Sequence, residues 1–209
     1  MSWLPILARV QFKPDAWQVK LLNIVDAEES ALICAPTSSG KTFVCFYAME
    51  SILRLDSDSV IVYIAPTKAM VNQVEAEISA RFSKQYKGKK SLSGVFTRDH
   101  RKNIYDCQIL VTVPQCFEIM MLSMEDPTWH KKVKYVIIDE VHMVGSKGGE
   151  VWQRAILLAN APSNTKKEKT YSFLYSFGTL CNCWKLGKIL LLAERNQRQP
   201  KTENTLDCT

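Results

Sequence analysis

Two short stretches carry residue types and spacings that could do chemistry. The first is Ala35-Pro-Thr-Ser-Ser-Gly40-Lys41-Thr42, placed between the apolar run Ala31–Ala35 and a helix-forming segment. It follows the strand–GxxxxGK[ST]–helix loop pattern, with alanine at the first glycine position. In that context the backbone N–H groups of residues 37–42 turn inward at a helix N-terminus. They form an anion nest that the helix dipole reinforces. Pro36, Thr37, Ser38, Ser39 and Gly40 shape the cradle, Lys41 reaches β- and γ-phosphates, and the Thr42 hydroxyl holds Mg²⁺. The bland alternative is a Ser/Gly-rich turn that binds nothing, and the strand before and helix after weigh against it. The second stretch is Asp139-Glu140-Val141-His142, after the strand-like run Lys134–Ile138. A carboxylate at the C-terminal end of a parallel strand lies where such sheets bind ligands. Asp139 can complete a Mg²⁺ shell through water, and Glu140 can orient and deprotonate an attacking water. Alone, the acidic pair is an ordinary solvated turn; with the loop upstream it reads as the other half of a nucleotide site.

These groups need a scaffold, and the chain supplies one by alternating strand and helix signals. Val60–Ala65 is β-branched and apolar on both faces, and Lys68–Phe82 places Val71, Val74, Ile78 and Phe82 on one helical stripe. Thr42–Leu55 reads as a helix without a breaker, and Leu92–Phe96 and Gln108–Val113 as weaker strands. Pro114 opens a helix through Phe117, Met120 and Met121, in the first-turn position proline favours. The Met120–Leu122 stretch reads as core or a covered helix face. Glu150–Asn160 is a further amphipathic helix. Strands apolar on both faces and alternating with helices specify a doubly wound, mostly parallel α/β sheet.

Composition agrees with a globular chain of 209 residues, 46% hydrophobic and 23% charged. These values exclude a disordered tail, a collagen-like fibre and a mucin-like stalk. The net charge of +6 permits nucleic acid as a partner without requiring it. Basic clusters fall at Lys84–Lys90, Arg98–Lys102 and Lys131–Lys134; such runs are mostly solvated faces. His100 and His130 read as surface residues. The seven cysteines show no zinc-ligand spacing and suit free thiols in a reducing compartment. The N-terminus lacks signal-peptide features, and no apolar stretch approaches the length of a bilayer span. The expectation is a soluble, cytoplasmic chain with no membrane partner.

The loop and the Asp-Glu-x-His box together resemble superfamily 2 DExH-box helicases. Ala65-Pro-Thr-Lys-Ala-Met-Val-Asn-Gln73 looks like their motif Ia, Thr112-Val-Pro114 like motif Ib, and Gly94-Val-Phe-Thr-Arg98 occupies the turn between them. Phe12-Lys-Pro-Asp-Ala-Trp-Gln18 resembles the Q-motif region. The wording of the blocks is most similar to superkiller-type RNA helicases, and within them to the DExD/H-box protein sixty group, associated with antiviral RNA responses. The resemblance implies a RecA-like P-loop NTPase domain using ATP and Mg²⁺ and binding RNA. It gives catalytic roles to Lys41, Asp139, Glu140 and His142, the last coupling nucleotide to a second domain. Phe12 would stack on adenine and Gln18 bond its edge. Pro66, Thr67, Lys68, Thr97, Arg98, Thr112 and Pro114 would follow the RNA backbone.

The resemblance covers residues 10–162 and then stops, so the expected organisation is one incomplete RecA-like domain over 1–162 and an unassigned tail over 163–209. No Ser-Ala-Thr motif III follows residue 162, and there is no room for a second RecA-like domain. The tail reads as the product of an alternative exon or read-through, and the start at Met1 as a truncation. It carries eight basic against four acidic residues and three of the cysteines. The resemblance places the motif III strand between Ala31–Ala35 and Lys134–Ile138. Its absence would leave two inner strand edges unpaired, so Tyr171–Phe177 or Leu190–Ala193 is expected to pair beside Ala31–Ala35. The functional expectation is an ATP-binding helicase domain, inactive in unwinding alone; the alternative is a truncated, non-catalytic nucleotide- or partner-binding module.

Overall fold

A computed structural model describes residues 14–34, 39–55, 58–84, 86, 90–123, 129–146, 148–160, 172–177 and 205–207. The two runs apolar on both faces become the inner strands β2 (Val60–Ile64) and β6 (Val133–Ile138), paired in parallel with Tyr63 opposite Ile137. Outside β2 lie β5 (Cys107–Thr112), then β3 (Ser91–Phe96), then the two-residue β4 (Arg101–Lys102). On the other side of β6 come β7 (Ser172–Phe177), β1 (Ala31–Cys34) and β8 (Thr205–Asp207). The order β4-β3-β5-β2-β6-β7-β1-β8 is parallel throughout except for the β3–β4 hairpin.

β7 occupies the slot expected for a tail strand. Leu174 is in register with Ile137 on one side and with Ala31 on the other. An inner strand edge left open would strand buried backbone donors and acceptors at about 1–3 kcal/mol each, which β7 prevents. The other candidate, Leu190–Ala193, lies outside the described residues; β8 was not anticipated.

The helices are α1 (Ala16–Asp26), α2 (Lys41–Leu55), α3 (Lys68–Phe82), α4 (Pro114–Leu122), the single turn α5 (Trp129–Lys132) and α6 (Glu150–Asn160). Their starts follow from side chains. Thr67 accepts the Met70 N–H at 3.2 Å and caps α3, Pro114 begins α4, and Asp15 with Gln18 forms a capping box on α1. The stripe Val71, Val74, Ile78 and Phe82 is buried as expected. Met120 is also buried, but Ile119 and Leu122 on the same helix are 56% and 61% exposed, so that stretch is only partly a covered face. Among the described residues no helix is long and apolar enough to cross a membrane.

Candidate nucleotide and nucleic-acid site

Parallel strands share one carboxyl edge, and the sequence motifs follow the strands that end there. Lys41 opens α2 after β1, the Asp139–His142 box follows β6, and Pro66–Lys68, Thr97–Arg98 and Pro114 follow β2, β3 and β5. The strand order separates two groups. Nucleotide candidates lie on the β6–β7–β1 half, and nucleic-acid candidates on the β3–β5–β2 half.

Gly40 has φ +88, and a Cβ there would sit 2.7 Å from Gln18 Nε2, so the loop passes close over Gln18 and glycine is required. Gln18 is buried. Its amide donates to the Ser39 carbonyl at 3.3 Å, and its carbonyl oxygen accepts the Asp15 N–H at 2.9 Å. It therefore ties the start of α1 to the base of the loop. Lys41 is largely buried and Thr42 is exposed, at the positive end of a fifteen-residue helix. Phe12, Pro36, Thr37 and Ser38 lie outside the described residues.

Across from the loop, both carboxylate oxygens of Asp139 accept hydrogen bonds: Oδ2 from the Tyr63 hydroxyl at 2.6 Å and Oδ1 from the Glu140 N–H at 3.0 Å. The Asp139 N–H donates to the Ile64 carbonyl at 3.0 Å, which extends the β2–β6 pairing into the box. Glu140 holds a left-handed backbone, φ 52, and its Oε2 lies 3.0 Å from His142 Nδ1. Its carbonyl accepts the Met143 N–H, opening the 3₁₀ turn Val141–Gly145. The loop and the box meet electrically at Cys45, one helical turn after Lys41. Burial pushes its thiol well above the usual range, with Asp139 adding to the rise and Lys41 opposing it. Burial likewise pushes the Tyr63 phenol up, aided by Cys45 and Asp139, so it stays a protonated donor.

The donor set fits a hard cation. Among the described residues no three His, Cys, Asp or Glu side chains converge as a metal cage. One carboxylate and one hydroxyl leave most positions to phosphate oxygens and water, which suits Mg²⁺.

The nucleic-acid candidates divide by exposure. Thr67, Lys68 and Arg98 are exposed and Pro66 is half-buried. Thr112 and Thr97 are buried, and Pro114 is buried as well. The Thr112 hydroxyl donates to the Phe96 carbonyl at 2.7 Å, and the Thr97 hydroxyl accepts the His100 N–H at 3.1 Å. These three residues shape the edge, and the exposed ones present it. Lys68 pairs with Asp99, Lys102 with Glu75 at 3.1 Å, and Lys90 and Lys132 both with Asp58. His100 is exposed, as read from the sequence.

Tyr63, Cys45 and the bracing contacts of Gln18 were not legible as site features. The available signal was Tyr63 itself, a residue with a polar tip inside a run otherwise aliphatic, since a buried Tyr hydroxyl needs a partner.

Residues 15–175 match the family model described as DEAD/DEAH box helicase. An uncharacterized helicase of Dictyostelium discoideum is 51% identical over 158 residues, covering 72% of this chain and 9% of that protein. The human probable ATP-dependent RNA helicase DDX60-like is 46% identical over 156 residues, covering 74% and 9%. The chain thus spans about a tenth of the length of these relatives. Among solved structures, the DUF1998 helicase MrfA is similar with a TM-score of 0.66 at 20% identity, covering 90% of this chain and 30% of that one. The Mycobacterium smegmatis helicase Lhr bound to single-stranded DNA and AMP-PNP gives 0.61 at 21% identity, covering 78% and 23%. Both share the RecA-like fold.

Proposed function

This chain belongs to the DEAD/DEAH box helicase family, and from that premise we propose that it is the ATP-binding domain of an ATP-dependent RNA helicase. In this reading it holds Mg-ATP on one half of its carboxyl edge and the backbone of single-stranded RNA on the other. The observation that carries the reading is the presence at one carboxyl edge of a helix N-terminus bearing Lys41 and a carboxylate, Asp139, held at both oxygens just after β6.

The chemistry follows from those placements. The α2 N-terminus and the Lys41 ammonium bind and orient the phosphates. Magnesium supplies charge neutralisation at the β- and γ-phosphate oxygens when bound. Glu140, aimed by its left-handed backbone, takes the proton of the attacking water on its carboxylate. Thr67, Lys68 and Arg98 contact phosphates of the strand, which gives affinity without sequence information. We also propose the cytoplasm as its compartment, where buried free thiols such as Cys45, Cys107 and Cys116 stay reduced.

In the family this chain resembles, arginine fingers come from a second RecA-like domain, and such a finger is worth about 10³–10⁵ in rate. Residues 1–209 alone are therefore expected to bind Mg-ATP with little or no RNA-stimulated hydrolysis, read as phosphate release with and without single-stranded RNA. Robust RNA-stimulated turnover that disappears in Glu140→Gln would contradict the catalytic half of this reading.

A further inference from the structure

Among the described residues, the Tyr63 hydroxyl bonds the Asp139 box directly and has no part in the proposed function above. Tyr63 is 2% exposed, on the inner strand β2, and its register opposite Ile137 sends its side chain to the same face as Asp139, the residue just after β6. The contact with Asp139 Oδ2 is 2.6 Å, the short length of a charge-assisted O–H···O⁻ bond. Other buried tyrosines spend their hydroxyls away from the box: Tyr135 donates to the Val25 carbonyl at 2.9 Å, and Tyr47 to Asp26. Tyr63 alone among these three engages the box.

We propose that Tyr63 is a positioning residue for magnesium, holding the Asp139 carboxylate in the one orientation that presents its free lone pairs toward the α2 N-terminus. Each carboxylate oxygen has two lone-pair sites. On Oδ2 one is taken by Tyr63, and on Oδ1 one is taken by the Glu140 N–H. Two donors on opposite oxygens restrain the rotation and the tilt of the group, and a lone-pair site remains on each oxygen for a cation or its water. Removing the hydroxyl leaves the Glu140 N–H as the one remaining donor among the described residues and lets the carboxylate turn.

The inference rests on the proposed Mg-ATP site and can fail separately from it. Binding of a fluorescent ATP analogue is followed while Mg²⁺ is titrated, and again in EDTA, for wild type, Tyr63→Phe, Asp139→Asn and the double variant. Phenylalanine keeps the ring and its packing. The half-saturating Mg²⁺ concentration is expected to rise about tenfold in Tyr63→Phe, the scale seen when a metal ligand loses its supporting hydrogen bond. Affinity in EDTA should change less than about twofold. In the Asp139→Asn background the second substitution should add nothing, because its effect runs through that carboxylate. Three results would overturn the proposal. One is an unchanged Mg²⁺ midpoint in Tyr63→Phe beside a normal wild-type response. Another is equal losses with and without Mg²⁺, and the third is additive effects in the double variant. A wild type whose binding ignores Mg²⁺ removes the site itself and this role with it.

Discussion

Glu140 carries a cost that its neighbours offset. A left-handed backbone at a non-glycine residue costs on the order of 1–3 kcal/mol. Its N–H bonds Asp139 and its carbonyl bonds Met143, so two hydrogen bonds hold a residue at φ 52. The exposed Lys68–Asp99 pair is of another kind. Lys68 holds the Asp99 carboxyl below the usual carboxylate range, yet both groups are solvated and the pair adds little to stability. Its consequence lies in the proposed RNA binding, where Asp99 would compete with phosphate for Lys68. Asp99→Asn is expected to raise affinity for single-stranded RNA several-fold at low salt and to steepen the log–log salt dependence by about 0.7, the value of one added phosphate contact. Unchanged affinity and slope would show that Lys68 does not reach phosphate.

Among elements, β7 closes the sheet between β6 and β1. It is bonded to β6 and to β1, so any residue within it pairs on an inner edge. Leu174→Pro removes one ladder N–H whichever neighbour it faces, and should lower stability by at least about 3 kcal/mol. Thr205→Pro, at the first residue of the edge strand β8, should be tolerated. Urea midpoints for the two variants check this, and equal midpoints would contradict an inner β7. That β7 would fill the slot was legible because two apolar strands cannot leave buried edges open, and Tyr171–Phe177 was rich in β-formers. Other elements announced themselves by period alone, such as the stripe of α3 and the run of β2. The misses have physical reasons. α1 hides in a segment valued for its motif, although Asp15 and Gln18 spell a capping box. β4 is two exposed residues, Arg101 and Lys102, with no period to detect. β8 sits in a polar run, where three residues of strand leave no trace in composition. At the site, Lys41, Asp139 and Glu140 were readable because backbone geometry dictates their spacing. The Tyr63–Asp139 bond was not, since it depends on the β2–β6 register across 76 positions.

At the scale of the molecule, one carboxyl edge brings the two proposed ligand halves side by side, and β2 with β6 forms the seam between them. Asp139 N–H bonds Ile64 O across that seam, two residues before Pro66 begins the nucleic-acid side. A shift of the box on nucleotide binding would therefore be felt directly at Pro66–Lys68, a coupling that needs only these two strands. All of this depends on Mg-ATP occupying the Lys41 end of the edge. Thermal unfolding of residues 1–209 with Mg-ATP, for wild type and Lys41→Ala, tests that most directly. At a nucleotide concentration one hundred times the dissociation constant, binding should stabilise the wild type by about 2.7 kcal/mol, a rise of about 5–10 °C in Tm. Lys41→Ala should melt near the unliganded wild type and show almost no rise with Mg-ATP. Equal rises in both proteins, or none in the wild type, would contradict the account.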